Sequence, residues 1–135
     1  MLEPIKEFKT IEEAIACLKE WQTRLFLDDW IIKVCLVEPD DIDGFCGQNR
    51  YQLENKCCVI ELAKMNPDNS DRIMKFCHER VMVHELLHCK YNFMKSNGQY
   101  ESSYFDAVEH ALLEQMGKSL IMAKYNLPFE WFKNF

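Results

Sequence analysis

Apolar residues recur at helical spacing near the start of the chain: Ile11, Ala14, Ile15, Leu18, Trp21 and Leu25 share one face of a 3.6-residue repeat. Thr10 stands at the cap position and Glu13 follows three residues later, a capping-box pattern, so a helix is predicted from about residue 10 to about residue 26. The period then changes. Trp30 to Val37 is an apolar, β-branched run that ends at Glu38-Pro39-Asp40-Asp41, the signature of a strand and a turn. Gly44 to Leu53 reads as a second strand, Asn55-Lys56 as a turn and Cys57 to Leu62 as a third strand. Strands this close in sequence predict a small antiparallel meander.

Helical spacing returns after the loop Asn66 to Asp71. Ser70 or Asn69 can cap the next helix, Asp71 suits its first turn, and Ile73, Phe76, Cys77, Val81, His84, Leu87 and His88 recur on one side. His78 does not share the face of His84 and His88 and is expected to be exposed. Asn92 to Ser103, with Asn97-Gly98, reads as a loop, and a last helix runs from about Ser103 to about Tyr125, stopping before Pro128. Its apolar stripe, Phe105, Val108, Leu112, Met116 and Leu120, should face the core and the preceding helix. The aromatic tail Phe129 to Phe135 is expected to pack back on the body. The fold class is α+β: an N-terminal helix, a sheet of about three strands and two further helices, in one domain over residues 1–135.

Composition narrows the class. A chain of 135 residues, 48% of them hydrophobic, suffices for one core without covalent staples. The net charge of −6, with no Lys/Arg-rich run, argues against nucleic acid as the main partner. The seven cysteines are odd in number, lie mostly in apolar segments and include no C-x-x-C pair. With no signal peptide in evidence and no apolar run of membrane-span length, they suggest a reduced, intracellular protein, cytoplasmic and without a membrane partner. Asp40, Asp41 and Asp43 lack the remaining spacing of a calcium loop and read as a solvated turn.

One stretch names a chemistry: His84-Glu85-Leu86-Leu87-His88, an HExxH inside an apolar helix. Residues four apart on a helix lie one above the other, so both imidazoles can reach one cation. Glu85 projects to the side, where it can take a proton from a metal-activated water without ligating the metal. The expected cofactor is Zn2+, held by His84 and His88 with Glu85 as general base. A third ligand is needed. A metzincin would place glycine and histidine where Tyr91 and Met94 stand, so that class is excluded. Asp106, Glu109, His110 and Glu114 of the last helix remain. Glu109 lies within the predicted apolar stripe, where a buried carboxylate needs a partner, and is the expected ligand, with His110 the alternative. Asp106 could accept from the outer nitrogen of a ligand histidine.

The HExxH, followed by Val108-Glu109-His110-Ala111-Leu112-Leu113 in a final helix, resembles small metallopeptidases encoded by phages and prophages, minimal gluzincin-like zincins. The resemblance implies a zincin-like fold, a zinc metallopeptidase, His84, His88 and Glu109 as ligands, and a peptide or protein substrate in the host-cell cytoplasm. Two departures stand out: Lys90 replaces a usual hydrophobic residue, and Leu113 stands where large gluzincins place an aspartate. Enzymes of this kind seat the substrate along a strand edge, for which Cys57 to Leu62 is the candidate, and Tyr100 or Tyr104 could supply an oxyanion donor. Two alternatives are a non-catalytic zinc-binding or regulatory module on a zincin fold and an SprT-like DNA-associated protease with three histidine ligands.

Overall fold

The computed structural model describes residues 2–67, 75–91 and 103–135, with the side chains of 103–105 outside the description. Helix α1 spans Ile11–Arg24, strand β1 Ile31–Val37, β2 Gly47–Gln52, β3 Cys57–Ala63, helix α2 His78–Lys90, α3 Ser103–Tyr125 and α4 Phe129–Asn134, with a 3-10 turn over Pro39–Ile42. Among the described residues this is an α+β fold of four helices and a three-stranded mixed sheet.

Thr10 caps α1 as its sequence predicts: its hydroxyl accepts the Glu13 N–H at 3.2 Å. Glu13 reaches back to the N–H of Lys9, at 3.0 Å, rather than to that of Thr10. Ala14, Cys17, Leu18 and Trp21 form the buried stripe of the helix.

The sheet is not a meander. Its order is β1-β3-β2, with β1 parallel to β3 and β2 antiparallel to it. The tight turn before Cys57 makes a hairpin of β2 and β3, so those two strands must be neighbours. The link from β1, through the 3-10 turn with its buried Ile42, skips one strand position, and β3 fills it. Cys57–Ala63 is therefore the central strand, and the edges are β1 and β2. This overturns the expectation that Cys57 to Leu62 is a free edge. Alternation sends Cys58, Ile60 and Leu62 of β3 into the core. Their partners Tyr51, Asn49 and Gly47 of β2 share that face.

Helix α2 is the central element. It touches α1, α3, β2 and β3, and all its residues but His84 and Lys90 are buried. Its start is the N-cap Cys77, which makes no side-chain capping bond. The capping candidates Asn69 and Ser70, with Asp71 and Ile73, lie outside the described residues, as do Tyr100 and the loop residues up to 102.

His78 is fully buried, contrary to the exposed position expected of it. It lies between the N-terminal segment and the end of β3: its Nδ1 accepts the Phe8 N–H at 2.7 Å, and its Nε2 donates to the Ala63 carbonyl at 2.6 Å. The tail does pack back. Phe135 is buried, its ring stacks on Trp131, and the Asn134 carbonyl accepts the Lys75 N–H at 2.8 Å. All seven cysteines are free thiols. Among the described residues no helix is long and apolar enough to cross a membrane.

Candidate metal centre

The HExxH helix sets His84 directly above His88, and the two Nε2 atoms face each other at 3.1 Å. Helix α3 adds His110, whose ring lies 5.4 Å from that of His84, nearly parallel to it, and 5.0 Å from that of His88. One ligand atom from each of the three histidines falls within 4.8 Å of the others. The third imidazole is thus His110, and Glu109 takes a different place.

That place is the outer nitrogen of His88. Glu109 is 2% exposed, and its Oε1 stands 2.9 Å from His88 Nδ1. Glu114 plays the matching part for His84, with Oε1 2.9 Å from the buried Nδ1, although the ring N–H does not point straight at it. Arg80, one turn before His84, grips the same carboxylate with Nη1 at 2.8 and 2.9 Å from its two oxygens. Burial alone would raise the Glu114 pKa, but the His84 contact and the charge of Arg80 outweigh it and hold the carboxyl below its ordinary value. Asp106, considered for such a role, is exposed.

The phase of α3 sets His110 beside the motif histidines and Glu109 behind His88. Its predicted stripe is off by one residue: Val108 and Leu112 are 46% and 44% exposed, whereas Glu109, Leu113, Gly117 and Ile121 are buried. Apolar residues alone do not mark the buried face here, because that face carries a carboxylate and a glycine. Gly117 lets α3 pack close to α2: a Cβ there would meet Val83 and Leu87 at 3.6 and 3.7 Å. Turning the helix by one residue, about 100°, moves His110 from the flank into the cleft.

Glu85 is 6% exposed and lines the same cleft as the three histidines. Its partner comes from the edge strand. Asn49 Nδ2 donates both to the Glu85 backbone carbonyl and to its Oε1, each at 3.0 Å. Nothing in the sequence singles out Asn49, Arg80 or the role of Glu114; only the alternation of β2 could have set Gly47, Asn49 and Tyr51 on one face. The cleft, about 610 Å³, runs along β2 and is bordered by Phe45, Gln48 and Tyr51 on that side and by Arg80 and Val81 on the other.

The donor set suits a cation. With its proton on Nδ1, the nitrogen beside a carboxylate, a neutral imidazole presents only a lone pair at Nε2. In that tautomer of both rings the two lone pairs, 3.1 Å apart, repel, and either a cation between them or a proton shared by the two Nε2 atoms relieves the contact. Two nitrogens bound to a tetrahedral zinc stand about 3.3 Å apart, given Zn–N bonds of about 2.0–2.1 Å. Carboxylates on the outer nitrogens are the usual second layer of such sites.

Comparison with known proteins gives no matching family model, no similar curated protein and no similar solved structure.

Proposed function

We propose that His84, His88 and His110 hold a zinc ion and that the chain is a zinc metallopeptidase of zincin-like type, with Glu85 as general base. The observation that carries the reading is the pair of facing Nε2 atoms, each ring backed by a carboxylate, with Glu85 in the same cleft. Zinc, when bound, supplies a Lewis acid that polarises the scissile carbonyl and brings the pKa of water toward neutrality. Glu85 takes the proton of the attacking water and passes it to the leaving amine. Asn49 holds the Glu85 carboxylate on the side of β2, and an extended peptide fits along that edge strand.

Three histidines depart from the two-histidine, one-glutamate set that the gluzincin-like resemblance implies. They match the set of the SprT-like alternative, which is the observation that favours a second reading, a protease acting near DNA. The net charge of −6 speaks against a DNA surface. A non-catalytic module would have no use for Glu85 beside the histidines.

The test is metal analysis joined to hydrolysis of fluorescein-labelled casein. Wild type should carry one zinc, Glu85→Gln should keep it while hydrolysis falls at least about 100-fold, and His110→Ala should lose it. Glu109→Ala weakening zinc binding more than His110→Ala would return the third position to Glu109. A wild-type chain that takes up no zinc would sink the reading, and hydrolysis that rises on adding DNA would favour the second one.

A further inference from the structure

The two motif histidines are backed in different ways. Behind His88 stands Glu109, whose side chain is 3% exposed. Behind His84 stands Glu114, whose side chain is 34% exposed and could turn away into solvent. What holds it is Arg80: a single Nη1 lies within hydrogen-bond distance of both carboxylate oxygens, and one of them, Oε1, is also the atom facing His84 Nδ1. Arg80 is itself fixed, 7% exposed in the first turn of α2, so its grip on Glu114 is set by the helix that carries His84 and His88.

We infer that Arg80 is a positioning residue for the metal, acting through Glu114 on His84. The inference rests on the metal reading above. The chain of contacts runs from guanidinium to carboxylate to Nδ1, and its effect is to keep the proton of His84 on Nδ1 and the lone pair of Nε2 toward His88 and His110. Glu114 left without Arg80 regains its rotamers, and His84 then exchanges between tautomers, only one of which can ligate through Nε2. Arg80 is thereby worth more to the site than its charge, which taken alone would repel a cation.

The experiment is zinc affinity by chelator competition on the full chain, with the His84 tautomer read from long-range 1H–15N imidazole spectra of the zinc-free protein. Arg80→Met should weaken zinc binding about 10- to 100-fold and mix the His84 tautomers, with the helical circular dichroism retained. Arg80→Lys, which keeps the charge without the planar fork, should recover part of the loss. Glu114→Gln should match Arg80→Met, and the double variant should be no weaker than either single one, since both act through one arm. Arg50→Met, which removes an exposed cation from the opposite face of the sheet, should leave affinity unchanged.

Arg80→Met binding zinc as tightly as a zinc-binding wild type would overturn the relay and leave the metal reading standing. Additive losses in the double variant would do the same. A wild-type chain that binds no zinc would overturn both.

Discussion

Removing the Asn49 amide takes two donors from Glu85 at once, one on its carbonyl and one on its carboxylate. A general base must be held within hydrogen-bond reach of the water it deprotonates, and small misplacements are costly. Asn49→Ala should therefore lower kcat on labelled casein by about 10- to 100-fold, with KM little changed and zinc retained. Loss of stability with undiminished kcat would make Asn49 a strut and nothing more. At this scale a sequence is most informative where chemistry dictates spacing. Two histidines four apart with an intervening glutamate are legible because helix geometry leaves them little choice. His110 is legible only as the alternative to Glu109, because the choice depends on one residue of phase in a helix whose buried face includes Glu109 and Gly117. Arg80 and Asn49 are ordinary polar residues until the fold sets them against Glu114 and Glu85.

The contact of α2 with β2 decides whether that amide reaches the base. Gly47 makes the contact possible: a Cβ there would lie 2.7 Å from Val81 Cγ1, 3.1 Å from Leu62 Cδ2 and 3.3 Å from the Glu61 carbonyl. Val81 is branched and 4% exposed, so it has little room to yield. Gly47→Ala should cost about 1–3 kcal/mol by urea unfolding. Adding Val81→Ala should restore part of that, whereas a fully additive cost would show the strain to lie elsewhere. Element types, and the bounds of α1, β1, β3 and α3, are readable from periodicity and turn residues, because those are local, whereas α2, expected to be capped at Asn69 or Ser70, is capped at Cys77. Strand order is not readable, since alternation records which face a residue takes and says nothing about which neighbour it pairs with. The parallel pairing of β1 with β3 follows from the long link through Pro39–Ile42, a length that permits a return on either side.

Across the whole molecule, the turn that opens α2 ties the distant parts together. Glu79, fully buried, accepts from the Ile5 N–H at 2.9 Å, Trp21 Nε1 at 2.7 Å, the Tyr125 hydroxyl at 2.7 Å and Lys124 Nζ at 3.0 Å. It joins the N-terminal segment, α1 and α3 to the helix that carries His84 and His88. Lys124 also pairs with Glu20 of α1. His78 beside it extends the join to β3, and here folding becomes linked to pH. Because Phe8 donates to its Nδ1 and its Nε2 donates to the Ala63 carbonyl, the ring is held neutral. A second proton would set one N–H against another. Burial lowers the His78 pKa below the ordinary 6.5, with smaller opposing contributions from the Ala63 carbonyl and Glu7. The unfolded chain therefore binds the proton first as pH falls. The contribution of His78 is complete above about pH 6.5 and is lost as pH drops through the lower folded-state pKa. Within that window the loss approaches about 1.4 kcal/mol per pH unit. Urea unfolding of the metal-free chain between pH 8 and pH 5 should show wild type losing more stability than His78→Gln, which has no proton to gain. The difference isolates His78 from His84, His88 and His110, which both chains share. Parallel curves for the two chains would mean that His78 takes up its proton in the fold as readily as in the unfolded chain.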